Sequence, residues 1–168
     1  METVIRAIEG ASTKVGIAGS LLIIPLVLCT CYEVFARYLF NSPTIWAYEV
    51  GYMLTGSHFL LGLAFTLRAG EHIRIDIFSG KFSAKTRAAI DLAGYAVVLP
   101  MLTWLTLALL RYFWNGYSAN EKSGQSAFNM PVWPFRLIFF IAFLLLALQV
   151  IAEVIKLVRT LRKPGLGA

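Results

Sequence analysis

Apolar positions along this chain come in long blocks rather than with the period of a surface helix or a half-buried strand. Four stretches, 15–40, 44–67, 88–114 and 132–158, stay predominantly apolar for at least the roughly 20 helical residues that cross a ~30 Å hydrocarbon core. They predict an all-α integral membrane fold of four long transmembrane helices. What remains is a short N-terminal arm, three loops and a C-terminal tail, so residues 1–168 read as a single membrane domain. Asn41, Ser42 and Pro43 break the first span from the second, with Ser42 placed to cap the new helix and Pro43 to open it. Gly80 and Ser83 precede the third span, and Asn129, Met130 and Pro131 introduce the fourth. Pro25 and Pro100 fall inside spans, where each should bend its helix; neighbouring helices can satisfy the carbonyls they free. The first span follows Lys14, exceeds the apolar core of a signal peptide and lacks an A-x-A site, which makes it an uncleaved anchor.

Between the second and third spans the pattern changes. From about 70 to 83, charged and apolar residues alternate, as in an amphipathic segment lying at the membrane surface. Ile73, Ile77 and Phe78 suit the interface, while Arg74 and Lys81 suit water and anionic phospholipid. His72 and Asp76 are four residues apart and, if helical, spaced to pair. The N-terminal arm, with Val4, Ile8 and Ala11 on one side, reads as a weaker interfacial helix.

Composition narrows the class. The chain is 58% hydrophobic and 14% charged, with a mean hydropathy of +0.71, against about 25% charged in soluble proteins. That excludes a soluble enzyme, a disordered tail and a disulfide scaffold. Lys and Arg (15) outnumber Asp and Glu (9), but they lie between and beyond the apolar runs, which is not how a nucleic-acid-binding face is built. With the N-terminus cytoplasmic, eleven cations fall inside: Arg6 and Lys14, the five between 68 and 87, and the four between 156 and 163. Three (Arg111, Lys122 and Arg136) fall outside, and Arg37 lies near the outer end of the first span. This bias places both termini in the cytoplasm.

The polar residues near and within the spans carry the remaining information, because a charge at the bilayer centre costs about 2.5–3.5 kcal/mol. Glu33 and Arg37 are four apart at the outer end of the first span and can pair. Glu49 lies one turn into the second span, just across the outer turn from Arg37, so the three are expected to clamp the first hairpin or a partner helix. Gly51, Thr55, His58 and Gly62 recur at i, i+4, i+7 and i+11, a stripe that would let another helix approach closely while His58 hydrogen-bonds across the contact. Cys29 and Cys31, two apart, point about 200° from each other and cannot share a metal. Trp46, Tyr48, Trp114, Tyr117 and Trp133 cluster at outer ends as an interfacial belt. A short echo, Arg37 to Asn41 and Arg111 to Asn115, marks the ends of both outward-going spans. No paired nucleophile and base, HExxH, phosphate loop or matched histidines are present, so no enzymatic activity, cofactor or metal is expected.

Several of these residues match a family pattern. Arg37, the Asn41-Ser42-Pro43 break, Trp46 and Glu49, then Gly62 and the run from Arg68 through His72 to Asp76, then Pro131 and Trp133, resemble the small membrane subunit of tripartite ATP-independent periplasmic (TRAP) transporters, the DctQ-like proteins. The match is densest from Glu33 to Arg87. It implies a bacterial inner-membrane assembly with a periplasmic solute-binding protein and a large multi-span subunit. In such an assembly the large subunit holds the sodium and substrate sites and moves as an elevator. The small subunit is added stator, and the solutes are organic acids carrying a carboxylate or sulfonate. On that reading Arg37, Trp46 and Glu49 tie the outer end and Arg68, His72 and Asp76 the cytoplasmic end. The alternative is a small autonomous four-helix carrier of the drug/proton antiporter kind, which needs a membrane carboxylate in the middle of its first span; here Glu33 lies towards the outer end.

Overall fold

The computed structural model describes residues 2–70 and 84–162. They form five helices: α1 (Glu2–Leu21), α2 (Ile23–Tyr38), α3 (Ala47–Ala69), α4 (Ala84–Ser118) and α5 (Trp133–Arg162). Four rods are long and apolar enough to cross a membrane: Glu2–Tyr38, Ala47–Ala69, Ala89–Ser118 and Trp133–Arg159. The described residues contain no named strand, and one antiparallel bridge, Lys122 to Pro131, closes the loop between α4 and α5. The expected interfacial segment at 70–83, with His72 and Asp76, lies outside the described residues apart from Gly70. That glycine ends α3 at φ 73°, the left-handed conformation that terminates helices.

The first rod differs from the expected arm and span. Helix runs from Glu2 and breaks at Leu22. Pro25 explains the break: its ring crowds the carbonyl of Leu21 and it has no N–H to offer there. Leu22 instead donates to Gly19 three residues back, at 3.1 Å. Ile5, Ser12, Gly16 and Gly19 are the buried face of α1, whereas Val4 is exposed. Pro100 has a milder effect, since α4 continues through it as one helix. The first outer turn is longer than the Asn-Ser-Pro break suggests. Ser42 does not cap α3, which begins at Ala47 with no side-chain cap. The backbone N–H and hydroxyl of Thr44 are both held by Glu33, drawing that residue back towards α2.

The rods stand side by side rather than as a closed bundle. α2 packs on α3 and the end of α1; α3 packs on α5, and α5 on α4. α1 fits against both α3 and α5. The order across the membrane plane is therefore α2, α3, α5, α4, with α1 thickening one half of the row. Small residues make these approaches possible. A Cβ on Gly16 would lie 2.6 Å from Cβ of Phe65, and one on Gly19 would lie 2.8 Å from Cβ of Leu61. On the other face of α3, a Cβ on Gly56 would lie 2.6 Å from the Phe135 ring. Between α4 and α5, Leu102, Ala147 and Val150 form a core joined by Leu67, Tyr95 and Leu99.

Of the stripe expected on the second span, His58 meets α1, its Nδ1 3.0 Å from the Gly19 carbonyl, but the small residues do not make the helix contact. Gly51 and Gly62 have open space where a Cβ would stand, and Thr55 is exposed with its hydroxyl donated to the Gly51 carbonyl. The glycines that admit α3 belong to α1. Gly19→Leu should therefore lower the melting temperature in detergent, since forcing a side chain into a packed contact costs about 1–3 kcal/mol. Gly62→Ala should leave the melt unchanged. Equal destabilisation by both would contradict this packing.

Candidate functional site

Among the described residues, polar contacts between helices and loops gather at the two ends of the rods, with His58 joining two helices in the middle. At the turn between α2 and α3, Glu33 accepts hydrogen bonds from Nε of Arg37 at 2.9 Å and from its Nη2, and from the backbone N–H of Thr44 at 2.9 Å. Trp46 stacks on Tyr32 with ring centroids 5.9 Å apart. One carboxylate thus pins a helix end to the turn that follows it.

Glu49 does not join this clamp. It is fully buried at the start of α3, and accepts from the Ser126 hydroxyl at 2.6 Å and the Met130 N–H at 2.8 Å. Its partners belong to the second outer loop, about eighty residues further along the chain. Sequence proximity to Arg37 was no guide, because Arg37 is already engaged by Glu33. The loop is shaped to deliver those donors: Asn120 and Asn129 both adopt positive φ, which asparagine tolerates better than other side chains, and the Glu121 N–H returns to the Gly116 carbonyl.

A second anchor sits beside that loop and was not foreseen. Arg136, with its residue surface 7% exposed, forms a two-pronged ion pair with Glu121 at 2.6 and 2.7 Å and lies over the Tyr112 ring, 3.7 Å from its centroid. The Cα of Gly116 leaves room for the guanidinium, which a side chain there would strike. Two parallel charge-assisted bonds plus a ring face make this a far stiffer contact than the exposed Arg6–Glu2 pair at 3.7 Å. Trp133, at the start of α5, meets Tyr117 edge-on at 5.6 Å. The Arg136 guanidinium holds the Glu121 carboxyl below the usual carboxylate range.

In the middle, His58 Nδ1 lies 3.0 Å from the Gly19 carbonyl, at the helix break. At the opposite end of the row, Arg68 bonds the Thr13 hydroxyl. Nearby, Ser12 and Gln149, both fully buried, are joined at 3.1 Å; Gln149 donates to Glu153 at 3.0 Å, and Lys156 bridges Glu153 and Glu9 at 2.5 and 3.0 Å. These contacts fasten α1 to α3 and α5. Spacing within single helices flagged Glu33–Arg37 but had no means of finding Ser12–Gln149. The signal available was an amide, Gln149, deep in an otherwise apolar span. Among the described residues, no three His, Cys, Asp or Glu side chains converge as a metal site would require. The clusters are arranged to hold helices and loops in place.

The Glu121–Arg136 pair has a pH signature. Because folding depresses the Glu121 pKa, its stabilisation is complete above the carboxyl's unfolded value and disappears as pH falls through the folded one. The melting temperature of Glu121→Gln should lie below that of the unaltered chain at neutral pH, and the gap should close in acid. A gap that persists or widens in acid would contradict the pair. Glu49→Ala strips the loop of its acceptor, so protease cleavage between 119 and 132 should accelerate with little change elsewhere.

The sequence comparisons agree with this picture. Residues 26–160 match the family described as tripartite ATP-independent periplasmic transporters, DctQ component. A stretch of 78 residues is 28% identical to the sialic acid TRAP transporter small permease protein SiaQ of Vibrio cholerae serotype O1, covering 46% of this chain and 45% of that one. The matched part thus spans under half of that relative. The family match extends over most of the four rods and includes every outer-end anchor described above. The chain belongs to the DctQ component family of the tripartite ATP-independent periplasmic transporters.

Proposed function

We propose that this chain is the stationary membrane scaffold of a TRAP transporter in a bacterial inner membrane, with both termini cytoplasmic. It braces a large multi-span subunit, and its outer turns lie on the side where a periplasmic solute-binding protein docks. The observation that carries this reading is the row of rods. Helices laid side by side, with ion pairs and latched loops at their ends, make a wall. A moving transport domain needs such a wall that does not tilt. The cation bias, eleven against three, supports the orientation. Uptake is driven by sodium, and the solute is an organic acid bearing a carboxylate or sulfonate; a relative named for sialic acid supports that class. Anionic phospholipid flanks the cytoplasmic cations.

An autonomous proton-coupled carrier is not favoured. The first-span carboxylate, Glu33, is occupied by Arg37 and Thr44 rather than left to exchange a proton with a substrate. Proteoliposomes decide between the two. The chain alone should move no solute under a sodium or proton gradient. Together with the large subunit and binding protein it should support sodium-driven uptake. Arg37→Ala should lower that uptake in proportion to the large subunit lost on co-purification. Transport by the chain alone would overturn the scaffold reading.

A further inference from the structure

The two ends of the row differ in chemistry. At one end, the outward face of α2 is apolar, with Ile24, Val27, Leu28 and Phe35 about half exposed or more, as lipid requires. At the other end, the outward face of α4 carries Met101, Trp104, Arg111 and Asn115, which recur at i, i+3, i+10 and i+14 and so share one side of the helix. Trp104 is 73% exposed, and Arg111 and Asn115 are exposed. Among the described residues, none of these three side chains has a hydrogen bond, ion pair or ring contact.

Depth makes this unusual. Trp104 stands at the middle of the Ala89–Ser118 span, whereas lipid-facing tryptophans belong at the membrane–water boundary, where the indole N–H finds a partner. Trp114 and Tyr117 already occupy that boundary on α4. Arg111 lies one turn further in, about 10 Å from Trp104 along the axis. Snorkelling to a lipid phosphate would account for Arg111 by itself but leaves the indole in hydrocarbon. The echo between the two outward-going spans sharpens the point. Arg37 and Arg111 head matching segments, and Arg37 finds its carboxylate four residues back, at Glu33. The residue four before Arg111 is Leu107, so the equivalent carboxylate is missing from this chain.

We infer that the Trp104–Arg111–Asn115 face of α4 is the seam against which a transmembrane helix of the large subunit packs, presenting a carboxylate to Arg111 and a hydrogen-bond acceptor to Trp104. The inference rests on the scaffold reading above and adds which edge of the row is joined and by what chemistry. A second copy of this chain is a poor occupant, because a two-fold contact on this face brings Arg111 towards its own equivalent. A carboxylate meeting the guanidinium away from water forms a charge-assisted bond that also fixes the register of the two helices.

The test uses the full chain co-expressed with the large subunit of its own transporter. A photo-crosslinking amino acid replaces Trp104 in one sample and Ile24, on the opposite edge, in another. The large subunit should crosslink at 104 and not at 24. Arg111→Leu should reduce the large subunit recovered on purification by about tenfold, without lowering the melting temperature of the isolated chain, since among the described residues the Arg111 side chain makes no hydrogen bond or ion pair. Crosslinking at 104 to lipid alone or to a second copy, while the large subunit still co-purifies, overturns the seam and leaves the scaffold reading standing. Unchanged recovery with Arg111→Leu overturns the carboxylate contact. Failure of the unaltered chain to bring down any large subunit overturns both.

Discussion

Lipid tails are as apolar as leucine, so nothing in the hydrocarbon pushes these helices together as water would. They associate only where backbones approach closely enough for dispersion contacts, or where polar groups find each other. Both conditions are met by a few residues. Gly16 and Gly19 let α1 lie against Leu61 and Phe65, and Gly56 admits Phe135. Ser12 and Gln149 supply an interhelical hydrogen bond of the kind that contributes about 0.6 kcal/mol on average in membranes. The large aliphatic and aromatic side chains contribute less to choosing neighbours than their number suggests, and many face outward.

The same scarcity of water explains why Glu33, Glu49, Glu121 and Arg136 are so thoroughly engaged. Glu49 is held by neutral donors, and Arg136 by a carboxylate and a ring, and each draws the second outer loop onto the tops of α3 and α5. That loop is therefore part of the folded wall rather than a tether between spans. The opposite end of the rods uses a different device, a relay from Ser12 through Gln149 and Glu153 to Lys156 and Glu9. The two ends are fastened independently, which gives a thin row of helices resistance to splaying at either surface.

The four rods were legible in the sequence because crossing a membrane demands little beyond apolar length, and length is directly visible. The Glu33–Arg37 pair was legible because its members are four apart on one helix. Contacts between distant segments were not. Glu49 stands near Arg37 in sequence, yet its acceptor capacity is filled from Ser126 and Met130, and no local spacing encodes that. The Gly51, Thr55, Gly62 stripe shows a further limit: periodicity finds a face of small residues but not whether anything lies against it. Ser12, Gly16 and Gly19 carry the same i, i+4, i+7 spacing, but within a polar arm, Glu9 to Lys14, whose composition does not distinguish a packed face from an exposed one. The family resemblance was readable from short motifs, of which Asn41, Ser42, Pro43 and Pro131 lie between helices, where particular residue types are needed.

The interruption at Leu22 has a mechanical consequence. A continuous helix from Glu2 to Tyr38 would be a stiff lever, and any sideways load on its outer half would be delivered undiminished to the Ser12–Gln149 contact. With the regular ladder interrupted there, and His58 against the Gly19 carbonyl just before the break, the two halves of the rod meet their neighbours separately, α1 on α3 and α5, α2 on α3. A sideways load on α2 therefore has a joint to cross before it reaches the Ser12–Gln149 fastening.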